Sequence, residues 1–467
     1  MTSRLLRAGI VALSTALLLS CGGGGGGGGG GSGGASALVA SPGSNPPLPN
    51  TDGSAMDATN GSSADAGAGA PGVSSPAGGG LGGIAVDAAS STTTTTTASS
   101  GDDASGVGSG GTGVSTADAT GVGAVDGAGS IIVNGLRYDT ARAVGNILDA
   151  PAGLQLGMTV KVTGPVNTDF TNGIARQVDS AADLKGPLLS VNLPQGSFVI
   201  LGTTVSTDSG TVWADASGLA AIPAGKTLQV WGLPGPSGVL RATRVEQRDP
   251  GEFILTGTVE GLDTTAHAFT LGGLVVEYGV AVQSGSLDGQ PLANGTVVRV
   301  RADTLLQGRL AAKSVQWWYP VPRVEGSTAQ IAGLVTNFAG PASLRVLGLQ
   351  VDASAAQITG GPQAALGNGV KVEVGGRIAN GILKATKLKI RNVPGTGGPA
   401  SFDLTGTVGA FRSSADFRVR GQPVNASSPN VHFSNGTAAN LGNGVKVHVH
   451  GTEVLNGVLT ADSIEFQ

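Results

Sequence analysis

The chain has 467 residues, a formal net charge of −4 at pH 7 and only 12% charged residues. A weak acidic balance supplies neither the basic surface that binds nucleic acid nor a polybasic patch for anionic lipid. We therefore expect no nucleic-acid partner. The single cysteine excludes an internal disulfide framework.

The N-terminus has the pattern of an export signal. Arg4 and Arg7 precede an apolar run at residues 8–19, which is too short to span a bilayer stably. The sequence LLSC then ends at Cys21 and resembles a bacterial lipobox, in which the cysteine is diacylglycerylated and the peptide is cut just before it. This predicts a lipoprotein signal peptide at 1–20, with Cys21 as the lipidated residue and the membrane as a partner through that lipid. The alternative is an ordinary secretory signal followed by a chance cysteine.

Low-complexity sequence follows the cysteine. Gly22 stands where an aspartate would resemble an inner-membrane retention signal, so the expected location is the outer membrane, with the chain exported and lipid-anchored. Ten glycines at residues 22–31 and six threonines at 92–97 offer almost nothing to bury. We predict a disordered tether at 21–118, with a root-mean-square reach of roughly 55 Å.

A six-residue sequence recurs five times in the rest of the chain. From residue 119 onward, valine, leucine and phenylalanine occupy alternate positions and glycines recur at regular intervals. Self-similarity at a fixed period indicates a repeat architecture. The copies are SIIVNG at 130–135, SFVILG at 197–202, AFTLGG at 268–273, SLRVLG at 343–348 and DFRVRG at 416–421.

A second sequence closes each repeat with a glycine, an alternating apolar strand, a turn and the pattern Gly-x-Leu-x-Ala. The first glycines are Gly157, Gly225, Gly295, Gly369 and Gly444. A spacing close to 70 residues exceeds that of a solenoid repeat, so each repeat is expected to be a small domain. We call these domains units 1 to 5; they are predicted at 119–182, 183–250 (divergent), 251–322, 328–393 and 401–467.

The sequence pattern of the units predicts an all-β fold. Valine-rich runs alternate with period two, and Asn-Gly pairs between them predict turns because both residues tolerate positive φ. A unit of about 65 residues is marginal as an open sandwich, whereas a closed barrel leaves no exposed edge. We predict a tandem array of about five small OB-like β-barrels. The Asn-Gly pairs are Asn172-Gly173, Asn294-Gly295, Asn368-Gly369, Asn380-Gly381, Asn443-Gly444 and Asn456-Gly457.

The combined pattern resembles a known family. Four motifs follow one another in the order seen in the DUF5666 family, whose domains occur in tandem in exported bacterial proteins. They are T-G-x-V, S-F-x-[VL]-x-G, L-x-[NG]-G-x-x-V-x-V-x-G and G-x-L-x-A. The resemblance covers about 350 residues from 119 onward and is good in the last three units. It is weaker in unit 2, which starts with GPLL at 186–189. It implies a small OB-like barrel and an exported setting, and it supplies no functional residues.

Two histidines lie on one face of the strand after Gly444. His448 and His450 alternate with valines, and we expect their face to be open to solvent. Such a pair can chelate a transition metal, with His432 as a third ligand. The alternative is a solvated pair without metal, because no other unit has histidine there. The corresponding residues are Lys161 and Thr163, Gln229 and Trp231, Arg299 and Arg301, and Glu373 and Gly375.

An aromatic cluster, Trp317-Trp318-Tyr319, ends unit 3. Exposed flat rings of this kind form sugar-binding platforms, so these residues are candidate ligand-binding residues. The alternative is that the rings cap the barrel and pack on the next unit.

The sequence favours a non-enzymatic function. No nucleophile elbow, zinc-protease helix or phosphate-binding loop is present in a suitable context, and we expect no cofactor. The repeated residues are glycine and apolar side chains, as in a repeated scaffold. We expect a cell-envelope lipoprotein that acts as a binding or spacer array, with cell-wall glycan or envelope proteins as partners. The alternatives are a glycan- or peptidoglycan-binding module and a metal-handling protein using His448 and His450.

Overall fold

A computed structural model describes residues 118–279, 281–286, 289–391 and 401–467, all within one compact part of the chain, 75–467. The predicted signal peptide, Cys21 and the predicted tether up to residue 117 lie outside the described residues. The all-β prediction is confirmed, since the described residues form 32 strands, four short 3-10 helices and no α-helix. None of the helices in these ranges could reach across a bilayer.

The strands are numbered in chain order and grouped by unit. Unit 1 contains β1 (Ala119–Ala128), β2 (Ile131–Val133), β3 (Leu136–Asp139), β4 (Val144–Ile147), β5 (Thr159–Gly164), β6 (Asn172–Ile174) and β7 (Gln177–Ser180). Unit 2 contains β8 (Leu184–Asn192), β9 (Ser197–Ile200), β10 (Thr203–Ser206), β11 (Val212–Trp213), β12 (Thr227–Pro234) and β13 (Val239–Arg248). Unit 3 contains β14 (Phe253–Thr258), β15 (Glu260–Asp263), β16 (Ala268–Leu271), β17 (Leu274–Glu277), β18 (Val282–Ser284), β19 (Val297–Leu306) and β20 (Arg309–Trp317).

Units 4 and 5 have six strands each. Unit 4 contains β21 (Thr328–Gly340), β22 (Ser343–Val346), β23 (Leu349–Asp352), β24 (Gln357–Thr359), β25 (Lys371–Ala379) and β26 (Ile382–Ile390). Unit 5 contains β27 (Phe402–Ser413), β28 (Asp416–Val419), β29 (Gln422–Asn425), β30 (His432–Ser434), β31 (Lys446–Leu455) and β32 (Val458–Phe466). The 3-10 helices are Leu193–Gln195, Leu219–Ala221, Gln363–Ala365 and Ala438–Asn440.

Unit 4 shows the pairing plan of all five units. β21 pairs antiparallel with β22, and β22 pairs antiparallel with β23. β23 pairs parallel with β26, which pairs antiparallel with β25, and β25 returns antiparallel to β21. The pairings therefore form a closed circuit of five strands, from which the short strand β24 is left out. Within this circuit we call β25 the fourth strand of unit 4; the corresponding fourth strands of units 1, 2, 3 and 5 are β5, β12, β19 and β31.

The repeated six-residue sequence forms the second strand and its hairpin turn. In unit 4 the turn residues Leu347 and Gly348 have φ values of 52° and 74°. Two successive positive φ values define the tight hairpin turn whose twist matches that of the paired strands. The recurring glycine is required there because a side chain disfavours this conformation.

The Asn-Gly pairs play two different roles. Asn380-Gly381 and Asn456-Gly457 have positive φ at both residues and form the predicted hairpin turns. The pairs that precede the fourth strands of units 3, 4 and 5 are also turns, but of another type, since only the glycine has positive φ. The prediction is wrong for Asn172-Gly173, which lies within β6. In both cases the asparagine keeps an ordinary backbone conformation.

The expectation of separate barrels is wrong, because strands of different units pair with one another. β1 pairs parallel with β21 and with β27, so units 1, 4 and 5 share a 19-stranded sheet. β8 pairs with β14, so units 2 and 3 share a 13-stranded sheet. The result is laterally continuous β-structure of the kind found in a β-solenoid. The hydrophobic clusters also cross unit boundaries, and one of them contains residues of units 1, 2, 3 and 5.

Candidate functional site

The units differ in how much of the outward face of the fourth strand is exposed to solvent. In units 2, 3 and 4, the outward residues Gln229, Arg299 and Glu373 are only 3%, 2% and 6% exposed. The prediction that this is a solvent face is therefore wrong for these units, because other units pack against it. In unit 5 the side chains of His448 and His450 retain 29% and 38% exposure.

A buried carboxylate, Asp183, lies where units 1, 2 and 3 meet. It has no solvent exposure. One carboxylate oxygen accepts hydrogen bonds from Arg299 Nη2 at 2.7 Å and from Trp318 Nε1 at 2.6 Å. The other accepts from Thr159 Oγ1 at 2.6 Å and from the Gly232 N–H at 2.8 Å. A buried charge is tolerated only when paired and fully hydrogen-bonded, and this junction meets both conditions.

The predicted aromatic cluster belongs to the same junction. Trp317, Trp318 and Tyr319 are 6%, 3% and 7% exposed. The Tyr319 hydroxyl accepts from the Ala181 N–H at 2.9 Å and donates to the Thr159 carbonyl at 3.1 Å. The rings thus tie unit 3 to unit 1. Trp318 and Tyr319 also lie in the hydrophobic cluster formed mostly by unit 4, in agreement with the alternative in which they pack on the next unit. Little of their ring surface is exposed for stacking on a sugar, and what is exposed lines the groove described below.

A second polar contact joins units 1, 2 and 3 through Asp149. Its carboxylate accepts from Arg301 Nη1 at 3.0 Å, and Arg301 also donates to Glu252 at 2.8 Å. Its backbone carbonyl accepts from Gln229 Nε2 at 2.9 Å. Outward residues of two fourth strands therefore converge on one loop residue of unit 1.

Units 1 and 4 meet at a cluster of buried charges. Asp126 on β1 is 8% exposed, and burial, opposed chiefly by the charge of Lys371, raises its pKa to about 7. Burial also lowers the pKa of Lys371, while nearby Glu373 accepts a hydrogen bond from Arg391 Nε at 2.6 Å. Asp126 therefore changes charge near neutral pH inside a contact between units.

A groove of about 1080 Å³ lies between units 2, 3 and 4. This volume is slightly above the usual range of about 300–1,000 Å³ for small-molecule sites. Its walls come from the turn after β12, the loop before β19, the segment after β20 and the β22–β23 hairpin. The polar side chains that line it include Glu260, Asn294, Arg323, Arg345 and Asn368.

Two asparagines in the groove are held by the backbone of their own unit. Asn294 Oδ1 accepts from the Leu262 N–H at 2.9 Å, and Asn368 Oδ1 accepts from the Phe338 N–H at 2.8 Å. Asn443 makes the equivalent contact with Phe411 in unit 5, also at 2.8 Å. We call this contact the asparagine clamp; it secures the first strand where its register shifts.

The candidate metal ligands fall into two places. His448 Nε2 and His450 Nδ1 lie 3.0 and 3.2 Å from the same oxygen of Asp403. His432 lies on β30, and β32 separates it from β31. His432 and His450 both pair in register with Ser463, so two strand spacings of about 4.8 Å each lie between their backbones. Among the described residues, no group of three or more histidine, cysteine, aspartate or glutamate side chains is placed to hold a metal ion.

Sequence reasoning missed the carboxylates that organise the junctions. Asp183 and Asp149 follow short strands or turns in a region without a repeated acidic position, so the repeat pattern does not identify them. The available signal was the set of charged residues on predicted fourth strands, above all Arg299 and Arg301. An arginine on a strand face that packs against another unit needs an acidic partner.

The fold and its junctions define an all-β protein built from five like units that share sheets, cores and buried charges. A family model described as a domain of unknown function (DUF5666) matches residues 185–246, 332–389 and 405–465. The resemblance seen in the sequence is confirmed for these three segments, which lie in units 2, 4 and 5. Unit 2, which the sequence ranked weakest, is among the matched segments, and unit 3 is not. No curated protein matches the chain.

Proposed function

We propose that the chain is a non-enzymatic binding protein of the bacterial cell envelope, in which five OB-like barrels form one ligand-binding body. The OB-like assignment is supported by the strand circuit, since first, second, third, last and fourth strands close on one another with the third and last strands parallel. The envelope setting rests on the lipobox-like sequence that ends at Cys21.

The observation that carries the binding proposal is the groove between units 2, 3 and 4. A concave surface built from several domains, lined by a few polar groups, is the usual form of a binding site. A spacer array gains length with each added unit. Here β1 of unit 1 pairs with units 4 and 5, so the chain folds back on itself and added units bring little length. The binding alternative therefore has more support than the spacer alternative.

Cell-wall glycan is the ligand class proposed for the envelope setting, with envelope proteins as the other candidate partners. The test is co-sedimentation of the purified full-length chain in detergent with purified peptidoglycan sacculi, beside a tube that contains protein alone. We expect the protein to pellet with sacculi and to be released by soluble wall fragments. Protein that stays in the supernatant at every sacculus concentration would count against a wall-binding function.

A further inference from the structure

We propose that the groove between units 2, 3 and 4 takes an oligosaccharide that carries carboxylate groups. This inference rests on the proposed binding function and names the chemistry of its ligand. The relevant feature is an excess of hydrogen-bond donors and positive charge among the lining side chains, in a chain whose net charge is negative.

The two clamp asparagines present donors to the groove. Since Oδ1 of Asn294 and of Asn368 accepts a backbone N–H, the remaining Nδ2 group of each side chain is the end left for a ligand. The clamps fix the orientation of both amides before any ligand arrives. Fixed amide donors suit hydroxyl and carboxylate oxygens, which accept hydrogen bonds, and fixing them lowers the ordering cost of binding.

The charges of the groove favour an anion. Arg323 and Arg345 line it together with one acidic side chain, Glu260. Arg345 Nη1 donates to the Gly348 carbonyl at 2.9 Å, which orients the guanidinium on the hairpin. Glu260 accepts from Ser237 Oγ at 2.9 Å. A guanidinium binds a carboxylate through two parallel hydrogen bonds, so Arg345 is the residue that selects an acidic ligand.

The shape of the groove favours a glycan over a peptide. One common way in which an extended peptide binds is by adding a strand to an open sheet edge. Most of this groove is instead made of turns and strand ends from three units. The donors named above, from units 3 and 4, suit a ring with hydroxyl groups around its perimeter.

Titration calorimetry with the full-length chain tests the inference directly. The probes are a hexamer of galacturonic acid, a neutral glucose hexamer and a hexaglutamate peptide. We expect the acidic hexasaccharide to bind, more weakly as salt rises, and to bind more tightly than either other probe. Arg345→Gln should weaken its binding about tenfold or more, the loss expected for a charge-assisted hydrogen bond.

Two further variants complete the test. Glu260→Gln removes the acidic side chain from the groove and should tighten binding severalfold. Arg412→Gln is the matched control, because Arg412 is an exposed arginine of unit 5 that pairs with Asp416 outside the groove. It should leave affinity unchanged. The melting temperatures of all three variants report whether they fold as the unaltered chain does.

Each contrary result has a distinct meaning. Equal binding of the neutral hexamer, or preference for hexaglutamate, would overturn the ligand class proposed here. Binding of the acidic hexamer that Arg345→Gln leaves unchanged would overturn the groove as its site. If sacculi still pellet the protein in either case, the binding function stands. Failure of sacculi and of all three probes would refute the function and this inference together.

Discussion

The fourth strands of units 3 and 5 have the same register, but the outward face is buried in unit 3 and partly exposed in unit 5. On β19, Arg299 is 2% exposed and bound to Asp183 of unit 2. On β31, the corresponding His448 keeps 29% side-chain exposure and contacts Asp403 of its own unit. The repeat pattern fixes which side chains point outward. The neighbouring units decide whether that outward face becomes an interface or a surface.

The largest effect should come from removing the arginine of the buried face. Arg299→Ala leaves Asp183 buried with its charge unpaired, so we expect the free energy of unfolding to fall by about 3–5 kcal/mol. His448→Ala, at the corresponding position of unit 5, should cost less than about 1 kcal/mol. Urea denaturation of the two variants gives both values. Equal losses would mean that neighbouring units do not set the role of this face.

Asp126 at the junction of units 1 and 4 should make the stability of the chain depend on pH. Because the pKa of Asp126 is raised to about 7 in the folded chain, folding favours its protonated form. Its contribution to stability is present at low pH and is lost as pH rises through 7, a fall of about 2 kcal/mol between pH 5.5 and 8.5.

Asp126→Asn removes the titrating group and should flatten this part of the stability profile. Urea midpoints at pH 5.5, 7.0 and 8.5 measure the slope for both proteins. An Asp126→Asn profile as steep as that of the unaltered chain would contradict this assignment. Asp416→Asn serves as the carboxylate control, because Asp416 is an exposed residue of unit 5 that pairs with Arg412.

Units 4 and 5 share the asparagine clamp, so the effect of removing it can be compared between them. Asn443→Ala removes the acceptor for the Phe411 N–H, and we expect a loss of about 1 kcal/mol. Asn368→Ala should cost a similar amount, because its contact with Phe338 has the same length of 2.8 Å. Thermal unfolding compares the two. Clearly unequal losses would show that the surroundings of a unit control even its internal contacts.

The smallest effect is a gain in stability. Ala410 has φ of 48°, a conformation that costs free energy for alanine and little for glycine. Unit 3 has Gly261 at the equivalent position, with φ of 56°. Ala410→Gly should therefore stabilise unit 5 by up to about 1 kcal/mol, measured as a higher urea midpoint. A lower midpoint would show that flexibility gained by the unfolded chain outweighs the strain relieved.

Sequence predicted the interior of each unit better than its surroundings. Period-two alternation identified buried residues such as Val447 and Val449, and the glycine spacing identified the repeat. Both depend on contacts within about 70 residues, which the repeated pattern records. The pairing of β1 with β21 joins residues about 200 positions apart, and no repeated residue marks it. Alternation on β19 likewise shows that Arg299 points outward but does not show which unit lies there.

For the candidate site, too, the sequence predicted features within one unit and not the contacts between units. The sequence singled out Trp317, Trp318 and Tyr319, which are central to the junction, but it left open whether their rings were exposed or packed. The groove was not predicted, because its lining comes from three units whose arrangement depends on those junctions. The sequence marked Asn368 only as a turn residue and Arg345 only as part of the repeated six-residue sequence, and neither pattern places them in one groove.

Hydrogen exchange measured by mass spectrometry tests most directly whether the five units form one body. The full-length chain is compared with Arg299→Ala and His448→Ala under native conditions, peptide by peptide. We predict that Arg299→Ala accelerates exchange in β5 of unit 1 and β8 of unit 2 as well as in β19, whereas His448→Ala affects unit 5 alone. Faster exchange confined to unit 3 in Arg299→Ala would contradict the account, because the units would then be stable independently of one another.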